Sequence, residues 1–149
     1  MQNIRILEIP DCKMASSGYG MFGQAHFDRF CEWFSSLPRG IHPKDFLTGN
    51  DRGMCWLYLL EDGTDVPEEF ETIAFSGGLY AVATDIDQQT DTDAMNAEVD
   101  AFLSAHGFVR DPSRSDMGNI LTPPSARDVM GFEQMDYWFP IKVKCAQVR

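Results

Sequence analysis

The chain has 149 residues, of which 44% are hydrophobic, and this is enough for one compact domain over residues 1–149 with a real core. Its formal net charge is −11 and its 12 Lys and Arg residues form no cluster, so direct binding to DNA or RNA is disfavoured. No apolar run approaches the ~20 residues of a membrane-spanning helix, and the first residues resemble a strand rather than a signal peptide, so we expect a cytoplasmic protein.

The first half of the chain predicts two strands, a helix and a third strand. In chain order the predicted elements are strands at residues 4–9 and 12–16, a loop at 18–23, a helix from 24 to 37, a loop at 41–52 and a strand at 53–60. The helix is indicated by apolar residues at helical spacing, among them Phe27, Phe30 and Phe34, and by Pro38 directly after its end.

The second half predicts the same order of elements. They are strands at residues 70–75 and 79–86, a helix at 91–106, a loop at 111–119, a short strand at 120–122, a turn region at 123–128 and a last strand at 135–142. Asp91 suits the N-terminal cap of this helix and Gly107 suits the position directly after its end.

The two halves resemble each other and predict an internal duplication. "CKMASS", a helix and "MCWLYLL" in the first half correspond to "LYAVATD", a helix and "MDYWFPIKVK" in the second. The pattern predicts an α+β fold made of a tandem βαββ repeat, with pseudo-repeats at about 1–75 and 76–149. Its antiparallel sheet would carry two helices on one face and a ligand cleft between the repeats.

Residue types that bind metals or cofactors have no suitable spacing. His26, His42 and His106 are not spaced as metal ligands relative to one another, to a cysteine or to a carboxylate. The four cysteines lie far apart without a C-x-x-C pair, which is typical of reduced thiols. No phosphate-binding loop or nucleophile motif is present. We therefore expect neither a metal nor a cofactor.

The remaining signal comes from aromatic residues near a single acid. Side chains alternate faces along a strand, so Trp56 and Tyr58 share one face, and Asp136 and Trp138 share another. If the duplication holds, these pairs occupy related positions and face the concave side between the repeats. The alternative is that the aromatics only enlarge a core. Burial of Asp136 without a partner would then cost several kcal/mol, so we favour a cleft.

Four motifs resemble those of the GyrI-like small-molecule-binding family. They are "FSGGLYAV" at residues 75–82, the "DVPEEF" turn before it, "DYWFPIK" at 136–142 and "FCEW" at 30–33. The resemblance implies the tandem βαββ fold and a cleft for small, often cationic and aromatic, molecules. In this family the domain occurs alone, including as gyrase inhibitors, or as the effector-binding part of AraC- and MerR-type transcription regulators. Some stand-alone members hydrolyse cyclopropane-bearing DNA-alkylating compounds.

The resemblance also implies particular site residues. Asp136 stands in place of the usual glutamate of the last strand, Trp138 in place of the usual aromatic, and Tyr80 matches the tyrosine of "YAV". The chain departs from drug-sensing relatives at residues 118–124, which contain no acid. The predicted ligand-binding residues are Phe22, Trp56, Tyr58, Tyr80, Asp136 and Trp138.

Three functions are compatible with these residues. The leading hypothesis is a stand-alone, multidrug-type binding protein for an apolar or cationic aromatic ligand, with Asp136 supplying charge selectivity. The second is a hydrolase that uses the same cleft, with Asp136 as general base and Tyr58 or Tyr80 steering the leaving oxygen. The third is a protein that binds a protein partner, a regulator or gyrase, through its acidic surface.

Overall fold

The architecture comes from a computed structural model that describes residues 3–145. Residues 1–2 and 146–149 of the predicted domain lie outside the described residues. The strands are β1 (Ile4–Ile9), β2 (Cys12–Gly20), β3 (Asp45–Asn50), β4 (Gly53–Leu59), β5 (Glu71–Phe75), β6 (Gly78–Ile86), β7 (Phe108–Arg110), β8 (Met117–Ile120) and β9 (Gln134–Val143). The helices are α1 (Ala25–Ser35), α2 (Thr92–His106) and α3 (Pro124–Met130).

Local signals explain both long helices. The Asp91 side chain accepts a hydrogen bond of 3.0 Å from the Ala94 backbone N–H and so caps the first turn of α2. Gly107 ends this helix in the left-handed conformation, at φ 82°. Helix α1 buries Phe27 and Phe30 on its sheet-facing side. The predicted bounds of both helices are confirmed to within about two residues.

All strands join one antiparallel sheet in the order β1-β6-β9-β8-β3-β4-β2-β5, and β7 pairs with the end of β9. The strand order has a two-fold pattern with β8 and β3 side by side at its centre. Outward from the centre, β8 is followed by the long strands β9 and β6, and β3 by the long strands β4 and β2. The edge strands are exchanged between the halves. Strand β1 pairs with β6 of the second half, and β5, which immediately precedes β6, pairs with β2 of the first. The predicted α+β fold is thus confirmed.

Helices α1 and α2 lie on the same face of the sheet. Trp56, Leu47, Gly118 and Tyr137 are successive register partners across β4, β3, β8 and β9, so they share a face. Tyr58, two residues after Trp56, packs against aromatic side chains of α1. Tyr137 packs on the cluster formed by α2. This pairing places both helices on the face that carries Trp56 and Tyr137.

The opposite face encloses the main core. Its buried side chains come from both halves, with Met14 and Leu57 from the first and Val82 and Trp138 from the second. The edge strands β1 and β5, at opposite ends of the strand order, both pack against this same cluster. The sheet is therefore rolled around the core, and the two helices cover its outer surface. Among residues 3–145, no helix is long and apolar enough to cross a membrane.

Several predicted loops are wrong. Residues 41–52 were expected to be a loop, but β3 spans Asp45–Asn50 and forms a hairpin with β4. Strand β2 continues to Gly20, past the start of the predicted loop at 18–23. Strand β8 begins at Met117, inside the predicted loop at 111–119, and α3 replaces the predicted turn region at 123–128. Tertiary pairing overrides the turn-forming composition of these short segments.

Candidate functional site

A cleft of about 710 Å³ opens on the helix-bearing face, above the central strands β3 and β8. It is lined by Phe22, Asp45, Leu47, Met54, Trp56, Asp87, Gln88, Thr90, Thr92, Gly118, Asn119, Ile120, Met135 and Tyr137. These residues come from both halves of the chain, and the cleft has the volume of a typical small-molecule site. Among the described residues, the lining includes two carboxylates and no Lys, Arg or His.

The first wall of the cleft is aromatic. Trp56 on β4 is backed by Phe34 and Phe27 of α1, with ring centroids 5.2 Å and 6.0 Å from its own. Phe22, which precedes α1, meets Trp56 edge-on at 5.7 Å and remains 59% exposed at the mouth of the cleft. The indole is therefore held rigidly from behind, so its cleft-facing surface can stack on a ligand without losing much side-chain entropy.

Asp45 places a carboxylate beside this indole. The Trp56 Nε1–H group donates a hydrogen bond of 3.1 Å to Asp45 Oδ2. Burial raises the pKa of Asp45 above its ordinary value of 3.8, and the Trp56 hydrogen bond and the charge of Arg39 only partly oppose this shift. A desolvated carboxylate against a fixed aromatic surface is the arrangement that favours a cation with aromatic groups.

The second wall is polar and belongs to β9 and to the loop between β6 and α2. The Thr90 hydroxyl donates a hydrogen bond of 3.0 Å to the Ile86 carbonyl, and its oxygen lies 2.9 Å from the Tyr137 hydroxyl oxygen. Because the only proton of the Thr90 hydroxyl is used, Tyr137 donates to Thr90. The Tyr137 oxygen therefore offers only acceptor capacity to a ligand. Asp87 lies in the same loop.

The structure brings two of the six predicted ligand-binding residues, Phe22 and Trp56, into this cleft. Tyr58 lies on the same face as Trp56 but is 8% exposed under α1, where its ring stacks on Phe34 at 5.4 Å. Tyr80 and Trp138 are buried inside the rolled sheet, with ring centroids 5.6 Å apart. These three aromatics contribute to packing and do not line the cleft.

Asp136 also points into the rolled sheet, and the expectation that it shares a cleft with Trp56 or Tyr58 is wrong. Its side chain is 0% exposed, and its Oδ1 atom accepts from Arg5 Nη2 at 2.6 Å and from the Thr84 hydroxyl at 2.5 Å. The partner that the sequence analysis did not find is Arg5, on the exchanged strand β1. The carboxylate therefore has a structural explanation.

Sequence reasoning missed Asp45, Asp87 and Tyr137. Asp45 was assigned to a loop, although the turn-forming "GNDRG" at residues 49–53, directly before the strong β4 strand, was an available hairpin signal. Tyr137 lies on the helix-covered face, which also carries the cleft. For Asp87, in a connecting loop, the sequence carries no signal that we can identify.

Replacing Asp45 with asparagine is expected to stabilise the fold. The pKa of Asp45 is raised in the folded protein, so the protonated group contributes favourably to the free energy of unfolding. This contribution is fully present below the unfolded-state pKa and is lost as the pH rises through the folded-state pKa. At pH 7 the ionised group is therefore a cost, and asparagine keeps the Trp56 hydrogen bond without the charge. We expect Tm to rise by about 2–4 °C at pH 7 and the difference to vanish near pH 3. Calorimetry that gave a lower Tm at pH 7 would contradict this.

Comparisons with known proteins identify the fold. No family model matches the chain, and no curated protein is significantly similar to it in sequence.

Among residues 3–145, no group of three His, Cys, Asp or Glu side chains is placed to hold a metal ion.

Solved structures nevertheless share this architecture. The EcmrR C-terminal domain is 9% identical with a TM-score of 0.61, and the match covers 97% of this chain and 99% of that domain. A hydrolase from Listeria innocua is 10% identical with a TM-score of 0.66, over 95% and 92% of the two chains. EcmrR in a complex with DNA is 10% identical with a TM-score of 0.62, and this chain spans only 57% of its length. At these identities the likeness establishes the fold alone, which a protein solved in a complex with DNA and a hydrolase share.

Proposed function

We propose that residues 1–149 form one ligand-binding domain of the GyrI-like type, which binds a small aromatic cation in the cleft between its halves. The observation that carries this proposal is the composition of the cleft. An aromatic wall built on Trp56 stands beside the desolvated Asp45 carboxylate, and the cleft lining contains no cationic side chain. In this proposal Asp45 supplies the charge selectivity that the sequence analysis assigned to Asp136.

The magnitudes favour charge as the source of selectivity. At about 4 Å and an effective dielectric of about 20, a carboxylate and a cation attract each other by ~4 kcal/mol before desolvation is counted. Stacking of a cation on Trp56 adds about 0.5–2 kcal/mol. Because Asp45 is already partly desolvated in the folded protein, the ligand has to remove less water from it on binding.

The fold comparison is compatible with a role as the effector-binding part of a regulatory system. This chain corresponds to just over half of EcmrR, a protein that has been solved in a complex with DNA. Partners such as a regulator or gyrase stay predictions, and capture of a defined partner with the purified domain would test them.

Hydrolysis is a second candidate, and the raised pKa of Asp45 favours it. A carboxylate with a raised pKa in a cleft is suited to acid–base chemistry. The catalytic residues predicted for a hydrolase, Asp136, Tyr58 and Tyr80, lie outside the cleft, so Asp45 would have to act as the general base. Mass spectrometry of a bound compound after incubation distinguishes the two functions, because only a hydrolase adds water to it.

The binding proposal predicts a charge-selective loss of affinity in Asp45→Asn. Tetraphenylphosphonium should bind the wild-type protein, and the substitution should weaken it about tenfold, or ~1.4 kcal/mol, because the ion pair is lost. The uncharged analogue triphenylphosphine oxide should be affected less than twofold, since asparagine preserves volume. Calorimetric titration of both ligands measures the two effects.

Asp128→Asn is the matched control, because it removes one charge from an exposed residue of α3 that does not line the cleft. It should leave both affinities unchanged. Equal losses for both ligands in Asp45→Asn would show that Asp45 is structural, and no binding of either ligand to the wild type would refute the proposed function.

A further inference from the structure

The cleft carries its two carboxylates on opposite walls. Asp45 belongs to β3 and Asp87 follows β6, and the strands β8 and β9 lie between them in the sheet. Neighbouring strands are about 4.8 Å apart, so three steps across the sheet separate the two backbone positions by roughly 14 Å. Negative charge is therefore present at both ends of the cleft, and the apolar residues Leu47 and Met135 lie between the ends.

The two cleft carboxylates are not paired with a basic side chain of residues 3–145, although the charge of Arg39 partly opposes the rise in the pKa of Asp45. Within residues 3–145, no Lys or Arg forms an ion pair with Asp45 or Asp87. Glu133, whose carbonyl accepts the Asp87 backbone N–H at 2.8 Å, differs in this respect, because its carboxylate lies 3.6 Å from Arg127. The protein thus compensates a nearby acid outside the cleft and leaves both acids inside it available.

The second wall presents hydrogen-bond acceptors to a ligand. The Tyr137 hydroxyl donates its hydrogen bond to Thr90, so its oxygen can only accept a hydrogen bond from a ligand. The Asp87 carboxylate likewise only accepts when it is ionised. The N-terminus of α2, which would repel a cation, is capped by the Asp91 carboxylate. An anionic group at this end of a ligand would lie against the Asp87 carboxylate.

The backbone that forms this wall is held in a costly conformation. Gln88 has φ 63°, and among residues 3–145 it is the only non-glycine residue with positive φ. Such a conformation is unfavourable for a residue with a side chain and is concentrated at functional sites. The strained turn follows Asp87 directly and keeps it at the cleft.

We infer that the preferred ligands are elongated aromatic dications, with one cationic group at Asp45 and the other at Asp87 and Tyr137. This inference rests on the proposed function and specifies its ligand class. One aromatic unit stacks on Trp56, the middle of the ligand covers Leu47 and Met135, and the far cation meets the Asp87 carboxylate and the Tyr137 oxygen. A ligand with a single cation satisfies one end and leaves the other carboxylate exposed to water in the cleft.

The test compares a biphenyl bis-amidine with its mono-amidine analogue, in which a neutral carboxamide replaces one amidinium at nearly constant size. Calorimetric titration of the wild type should give a dissociation constant about tenfold lower for the bis-amidine. In Asp87→Asn this ratio should fall to about one. In Asp128→Asn, which removes the same charge at a distance from the cleft, the ratio should remain about ten.

The possible outcomes distinguish a failure of this inference from a failure of the proposed function. Failure of the mono-amidine to bind the wild type would refute the proposed function itself. Binding of the mono-amidine with a wild-type ratio near one would leave that function intact and overturn the dication inference. A ratio of ten that persists in Asp87→Asn would also overturn it, because the second carboxylate would then have no role.

Discussion

Replacing Arg5 with methionine is expected to lower the free energy of unfolding by about 3 kcal/mol, because it leaves a charge buried without its partner. Asp136 is 0% exposed, and Arg5 Nη2 lies 2.6 Å from its Oδ1 atom. In residues 3–145 the other oxygen, Oδ2, has no hydrogen-bond partner, so only the Thr84 hydroxyl would remain to stabilise the carboxylate. Methionine preserves much of the apolar stem, which isolates the contribution of the guanidinium.

Urea unfolding measures this effect, and Arg29→Met is the matched control. Arg29 forms an ion pair with Glu69 in which both side chains are about half exposed, at 51% and 44%, so we expect a loss below about 1 kcal/mol. The double variant Arg5→Met with Asp136→Asn should be more stable than Arg5→Met alone, because it contains no buried charge. Similar losses for Arg5→Met and Arg29→Met would show that burial of Asp136 does not govern the stability of this pair.

Gly118→Val is expected to abolish ligand binding in the cleft, with at least a ~100-fold loss for charged and neutral ligands alike. Gly118 forms the floor of the cleft between its register partners Leu47 and Tyr137. A Cβ atom there would lie 2.1 Å from the terminal methyl of Met135, a flexible group that has to move. The valine methyls and the displaced Met135 then occupy space that a ligand needs.

The same change at Gly40 is the control, since this residue lies between α1 and β3 outside the cleft lining and a Cβ atom there meets no atom closer than 3.8 Å. Gly40→Val should bind ligands as the wild type does. Circular dichroism should show that Gly118→Val retains the fold. If this variant kept wild-type affinity for tetraphenylphosphonium and for its neutral analogue, the binding site would have to lie elsewhere.

Elements with strong local signals could be predicted from the sequence. The α2 helix has its capping acid Asp91, its apolar face and its terminal Gly107 within 17 consecutive residues. Strand β4 combines high β-propensity with clear flanking turns. In both cases the signals that specify the element lie within the segment itself, so tertiary contacts were not needed to predict it.

The face on which the cleft lies could not be predicted in this way. Strand alternation shows which side chains share a face, but it does not show which face the helices cover. The duplication was aligned with Trp56 opposite Asp136, whereas the strand pairing connects Trp56 through Leu47 and Gly118 to Tyr137. A shift of one residue moves every side chain to the other face, and this explains why Asp136 was placed in the cleft.

The exchange of edge strands between the halves has a consequence for biosynthesis. Strand β1 pairs with β6, so Arg5 contacts Thr84, a residue 79 positions later in the chain. At about 5–20 residues per second, the ribosome makes that partner roughly 4–16 s after β1. During this interval the aliphatic side chains of β1 have no strand to pair with and are open to association with other chains. We therefore expect β1 to remain without its native pairing until β6 has been synthesised.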